Sequence, residues 1–358
     1  MERCYLIATA GVIGLFLTGC GRPIGGGEKL QKDASAELLA EGELAASELR
    51  AAAKGSGLRV ANLLGAGTAP ISEAGTFRVY LLMGQSNMVG LGRARDLPAE
   101  WREPHPRVRV WANEEWQFMK PSRSFGPEVA FTRELVEAFP EDTIGVIKIA
   151  VSGTGLAAWS PNYDPKLAKL TADSIKGSLY GDLLNAVEGA RASSDFVWGG
   201  LLWKQGGKDA RRSDLSDTYG VRFQRMVGRL RLDLDEPSLP IYVLTYFDEA
   251  GIEENRRAIE RIRPDSIPLF QFQAQVDEFI PNCWPVFHGQ LPTVIDQVHF
   301  NSEGQIKLGK LAAEAVLTLR PESAGEDGEG DPSDETGEGV DAGAVDSGAV
   351  VRSSSDPG

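Results

Sequence analysis

The stretch LLMGQSNMVG, residues 81–90, ends an apolar run in Gly84, Gln85, Ser86 and Asn87. Such residues make turns, since glycine allows unusual backbone angles and short polar side chains bond to nearby backbone. They also suit a second chemistry, with the Ser86 hydroxyl as a nucleophile. A serine hydroxyl is inert at neutral pH without a base to take its proton. The chain has three histidines, His105, His288 and His299. His105 lies between two prolines and reads as a loop histidine, and His288 is ambiguous. His299 sits in DQVHFNSEGQ, three residues after Asp296. On one helical turn or a compact bend, that spacing puts the two side chains side by side. The carboxylate can then fix the imidazole tautomer and stabilise the imidazolium formed when Ser86 gives up its proton. Taken alone, an Asp-x-x-His pair is most often structural, and a Ser after an apolar strand is scarcely more specific.

A scaffold must bring these distant residues together. FRVYLLM (77–83), IGVIKIA (144–150), VWGGLLW (197–203) and IYVLTYF (241–247) read as strands buried on both faces. A further short strand is expected at 269–272. Helices are expected from Pro127 onward and over 166–169, 180–192, 218–234 and 253–262. A last one starts at Ser302, where Ser302 and Gln305 form a capping-box pattern. Strands alternating with helices imply a parallel sheet covered on both sides. In such folds function gathers outside the carboxyl ends of the strands. Three polar clusters follow predicted strands directly, at 84–87, 152–155 and 205–209.

MGQSNM (83–88), SGTGLAAW (152–159), LLWKQGGKD (201–209) and DQVHFNSEG (296–304) occur in that order. The set resembles the SGNH-type carbohydrate esterases, above all the sialate O-acetylesterase and acetylxylan esterase group, over about residues 76–319. The resemblance implies a three-layer α/β/α sandwich with a central parallel sheet, flavodoxin-like, and removal of acetyl groups from sugar hydroxyls without metal or other cofactor. By position, Ser86 would be the nucleophile, His299 the general base and acid, and Asp296 its orienting carboxylate. The backbone N–H groups of Ser86 and Gly153 and the side-chain amide of Gln205 would face the oxyanion. Gln85 and Trp159 would contact the substrate. Trp111, Trp116 and Trp284 are further candidates for stacking on sugar rings, or else core residues. Glu128, in FGPEVAF, has a family-like place too, or simply favours the first turn of its helix.

Two departures stand out. Relatives commonly read W-H-Q-G-E where this chain has Trp203-Lys204-Gln205-Gly206-Gly207. The acid is therefore missing at Gly207, leaving Asp296 as the partner of His299 and Asp209 as a distant reserve. Lys204 adds charge beside the site. These departures motivate an alternative, a glycan-binding protein that keeps the pocket without turnover.

The rest of the 358 residues frames this domain. The length fits two domains, or one large α/β domain with flexible ends. Residues 1–19 have a short positive start and an apolar run from Tyr5 to Leu17, too short to span a membrane comfortably and suited to a secretory signal. The end, Leu17-Thr18-Gly19-Cys20, resembles the lipobox of bacterial lipoproteins. That implies lipid attachment at Cys20, a membrane surface as partner, and a periplasmic or cell-surface location. Residues 20–75 read as a partly helical stalk, with Asp33 as a candidate cap, and 76–320 as the esterase domain. Residues 321–358 carry eleven acidic residues against Arg352 and no aromatic, a composition for disorder. That tail accounts for most of the net charge of −14, and no basic stripe with interleaved aromatics marks a nucleic-acid partner. With Cys4 removed and Cys20 acylated, Cys283 remains alone, so neither an intrachain disulfide nor a cysteine metal site is expected.

Overall fold

A computed structural model describes residues 63–71 and 75–319. The signal segment, Cys20, most of the expected stalk and the acidic tail lie outside the described residues. The strands are β1 (Leu63–Thr68), β2 (Phe77–Gly84), β3 (Gly92–Arg93), β4 (Val108–Ala112), β5 (Glu115–Pro121), β6 (Ser124–Phe125), β7 (Thr143–Ala150), β8 (Val197–Lys204), β9 (Ile241–Thr245) and β10 (Cys283–Phe287). Eight of them form one sheet in the order β1-β5-β4-β7-β2-β8-β9-β10. From β4 to β10 all neighbours are parallel, whereas β5 and β1 extend the β4 edge antiparallel. The four strands read from sequence fall at the centre of this sheet. β1 comes from residues expected to be stalk, so the folded part begins before residue 76.

Alternate side chains of β2 enter two separate cores. Val79, Leu81 and Met83 join one with α3 (Leu179–Ser193) and α4 (Tyr219–Asp233), once α1 (Ser86–Val89) and α2 (Glu128–Ala138) are counted in chain order. Tyr80 and Leu82 join the other, with Phe131, Leu135 and Val136 of α2 and Leu308, Ala312 and Val316 of α6 (Ser302–Thr318). α5 (Glu249–Ile262) lies between β9 and β10 in the chain. The protein is thus a mixed α/β fold with a largely parallel central sheet and helices on both faces, each face burying the apolar half of a strand's period-two pattern.

Two expectations are corrected. Residues 269–272 belong to a helix, Ile267–Ala274, with Pro268 at its start. The cap of α6 is Asn301, whose Oδ1 accepts the Gly304 N–H at 3.0 Å, while the Ser302 hydroxyl bonds to Asp96 instead.

Register decides where the polar clusters emerge. Gly84 at the end of β2 pairs with Ala150 of β7 on one side and Lys204 of β8 on the other. The three strands therefore end level, and the segments after them, at Gln85, Val151 and Gln205, leave the same edge of the sheet.

Candidate active site

Ser86 is delivered by a tight exit from β2. The Gln85 N–H donates to Lys204 O at 2.9 Å, and Ser86 opens the single turn α1. Gly84 has φ +152°, and a Cβ there would lie 2.3 Å from Lys204 O, so only glycine lets the two backbones approach this closely. The structure shows no hydrogen-bond partner for the N–H groups of Ser86 and Gly153 among the described residues.

His299 comes from the loop before α6. Asp296 accepts the backbone N–H groups of Val298 and His299, both at 2.9 Å, through Oδ1. Its Oδ2 lies 2.5 Å from His299 Nδ1. The His299 N–H first, then the His299 ring and the Val298 N–H, hold the carboxyl down to about 2. An ionised carboxylate only accepts, so Nδ1 carries the proton of the neutral ring and Nε2 keeps its lone pair. Asn87 then fastens this loop to the Ser86 turn. Its Nδ2 donates to Val298 O and its Oδ1 accepts the Phe300 N–H, each at 3.0 Å.

The loop after β7 is held by two buried carboxylates. Asp173 accepts the Gly155 N–H at 2.5 Å, and Asp209 accepts the Leu156 N–H at 2.8 Å. Gly153 takes φ +69° within that loop. Asp209 also accepts from Arg222 at 2.9 Å, so it serves this loop and is no reserve partner for His299. The side chain of Gln205 is likewise committed: Nε2 donates to Thr154 O at 3.0 Å and to Asp209 at 2.8 Å, and Oε1 accepts from Tyr219 at 3.0 Å. Both amide hydrogens are used internally, contrary to the expectation that they face an oxyanion. Gln205 instead braces the loop that carries Gly153.

A cavity of about 640 Å³ opens where these loops meet, lined among others by Gln85, Ser86, Gly153, Gln205 and His299. One wall is apolar, with Phe247, Ile259 and Phe270. The charged lining residues are Lys204, Lys208, Arg211 and Arg263, and among the described residues no Asp or Glu lines it. Lys204 is 7% exposed, and burial brings its ammonium down to about 7. Burial, and then Lys204, hold the nearby His288 imidazole well below its ordinary value.

The position of the missing acid is occupied by a neighbour. A Cβ at Gly207 would lie 2.8 Å from Gln85 Nε2, so Gly207 leaves room for the Gln85 amide. Trp159 is a correction: it is fully buried, 5.4 Å from Trp203 edge to face, and is not among the residues lining this cavity. Trp111 and Trp116 are core residues too, and the half-buried Trp284 stacks on Tyr242. Glu128 opens α2, where a carboxylate suits the positive end of the helix, and its Oε1 accepts the Gly126 N–H at 2.8 Å. It forms a buried 2.6 Å pair with Lys148, which also donates to Val89 O at the end of α1. Burial pushes the Cys283 thiol up to about 12, which leaves it unreactive. Sequence reasoning assigned no role to Asn87 beyond its turn and missed the cationic residues Lys208, Arg211 and Arg263. An amide directly after a candidate nucleophile was the available signal for the first.

A probable carbohydrate esterase of Arabidopsis thaliana is 25% identical over 266 residues, 67% of this chain and 90% of the plant protein. A crystal structure of that plant protein superposes with a TM-score of 0.52 at 21% identity, over 68% of this chain and 98% of that one. A crystal structure of NanS covers 69% of this chain and 98% of its own, with 16% identity and a TM-score of 0.49. The family described as "Carbohydrate esterase, sialic acid-specific acetylesterase" matches residues 76–318, the span that holds Ser86, Gly153, Asp296 and His299, and the chain belongs to that family of carbohydrate esterases.

Proposed function

We propose that the protein is an SGNH-type serine esterase that removes O-acetyl groups from carbohydrates, with Ser86, His299 and Asp296 as its triad. The observation that carries this reading is the 2.5 Å contact between His299 Nδ1 and Asp296, on a histidine that lines one cavity with Ser86. Ser86 Oγ attacks the acetyl carbonyl carbon as His299 Nε2 takes its proton. The N–H groups of Ser86 and Gly153 stabilise the oxyanion, each such donor typically contributing about 3 kcal/mol to lowering the barrier. His299 returns the proton to the departing sugar oxygen, leaving an acetyl ester on Ser86. Water, deprotonated by the same imidazole, then releases acetate. Asp296 supports the imidazolium in both halves.

The cations Lys204, Lys208, Arg211 and Arg263 on the cavity wall favour an acetylated sugar that bears a negative charge, of the sialic acid type, over a neutral xylan. Attachment to a membrane through Cys20 is the further part of the reading. Incorporation of labelled fatty acid, abolished by Cys20→Ser, is its expected result.

The test of the catalytic reading is hydrolysis by the purified protein of an aryl acetate and of a panel of acetylated sugars. Ser86→Ala should abolish both hydrolysis and labelling by a serine-directed phosphonate. A wild type that releases no acetate across pH would sink it.

A further inference from the structure

Asn87 directly follows Ser86, and it is 5% exposed. Its amide makes two bonds of 3.0 Å that bracket His299, one to the residue before it and one to the residue after it. A primary amide offers a donor and an acceptor in one plane, as a peptide group does. Asn87 thus binds the Val298–Phe300 backbone as a neighbouring strand would, but with a single side chain. A third contact, from Nδ2 to the Tyr246 hydroxyl, is 3.5 Å long and adds little.

The segment carrying His299 has little regular structure of its own. The Val294 N–H donates to His299 O at 2.8 Å, Thr293 and Phe300 form an isolated bridge, and Asp296 caps two N–H groups. All of these fasten the segment to itself. The Asn87 bonds connect it to the turn that carries the nucleophile, across 211 and 213 residues of sequence.

We propose that Asn87 is a positioning residue, whose side-chain amide fixes the His299 imidazole relative to the Ser86 hydroxyl and so sets the efficiency of proton transfer between them. The inference rests on the esterase reading above. Proton transfer needs heavy atoms within hydrogen-bond reach, and a misplacement of about 1 Å costs on the order of a hundredfold in rate.

The experiment compares wild type with Asn87→Ala and the near-isosteric Asn87→Asp, which keeps the acceptor for Phe300 and loses the donor for Val298. All three are assayed on an aryl acetate well below their melting temperatures. The expected result is a fall in kcat of about 10- to 100-fold in both variants with KM within about threefold. The low-field proton resonance of His299 Nδ1 should also broaden or vanish. A role in packing alone would lower the melting temperature and leave kcat unchanged. Both variants folded, with kcat within about twofold of an active wild type, would overturn the inference and leave the esterase reading standing. A wild type without esterase activity overturns that reading instead. The resonance then decides the placement of His299, and an unchanged signal in both variants overturns the inference as well.

Discussion

The Lys204 ammonium stands 4.1 Å from the centroid of the Tyr246 ring and has no carboxylate partner among the described residues. A cation over an aromatic face is stabilised, but by less than full burial of an ammonium costs. The position is therefore a local weakness in the fold that a simpler side chain would remove.

Lys204→Met should raise stability in a pH-dependent way. Burial brings the group from an ordinary 10.5 down to about 7. Between those values the unfolded chain holds a proton that the folded chain has released, so stability rises with pH across that window and the penalty is complete below it. The variant should exceed wild type by about 1 to 3 kcal/mol near pH 6, and the gain should shrink to nothing as pH approaches about 10. Urea unfolding at a series of pH values measures this. A constant difference would show that the charge is not responsible.

The same cation should discriminate substrates. Lys204 and Arg263 line the cavity without ion-pair partners among the described residues. Lys204→Met and Arg263→Gln should each lower kcat/KM for an acetylated sugar acid by about tenfold more than for its neutral methyl ester. Equal losses on the two substrates would instead assign these cations a general electrostatic part in the reaction.

Asp296→Asn keeps an acceptor for the two backbone N–H groups it caps but removes the charge facing His299. Activity should fall by about a hundredfold or more with little change in KM. Since the Asp296 carboxyl stays ionised down to about 2, the acid limb of the wild-type pH profile belongs to another group. Rates from about pH 4 to 9 test both points.

Glu128 and Lys148 are both fully buried. Removing either partner strands a charge, so Glu128→Gln and Lys148→Met should each cost about 3 to 5 kcal/mol, while the double change should cost less than either alone. Denaturant unfolding of the cycle reads this directly. The Val89 carbonyl, which Lys148 also holds, ends the turn that begins with Ser86, so residual esterase activity should fall in step with the single changes.

The central strands were legible because Phe77–Met83 and its counterparts are continuous apolar runs, which only a doubly covered sheet accommodates. The edge was not. β4 and β5 are joined by Asn113 and Glu114, both with positive φ, a two-residue hairpin turn in which Glu stands where glycine would announce it. The run at 269–272 was too short for its period to separate strand from helix, and Pro268 was the overlooked helix signal. In the candidate site, Ser86, Asp296 and His299 could be proposed from sequence because their chemistry is in their residue types. The fates of Gln205 and Trp159 could not be read there, since they depend on partners that other segments supply. Asp209 and Thr154 claim the amide of one, and Trp203 covers the other.

The candidate base for Ser86 comes from a segment made some two hundred residues after it. His299 precedes α6, which packs into the same core as α2. A chain still being made therefore carries the Ser86 hydroxyl well before the His299 imidazole exists. On the proposed reading the hydrolytic set stays incomplete until the segment carrying His299 has been made and has docked on the Ser86 turn through Asn87.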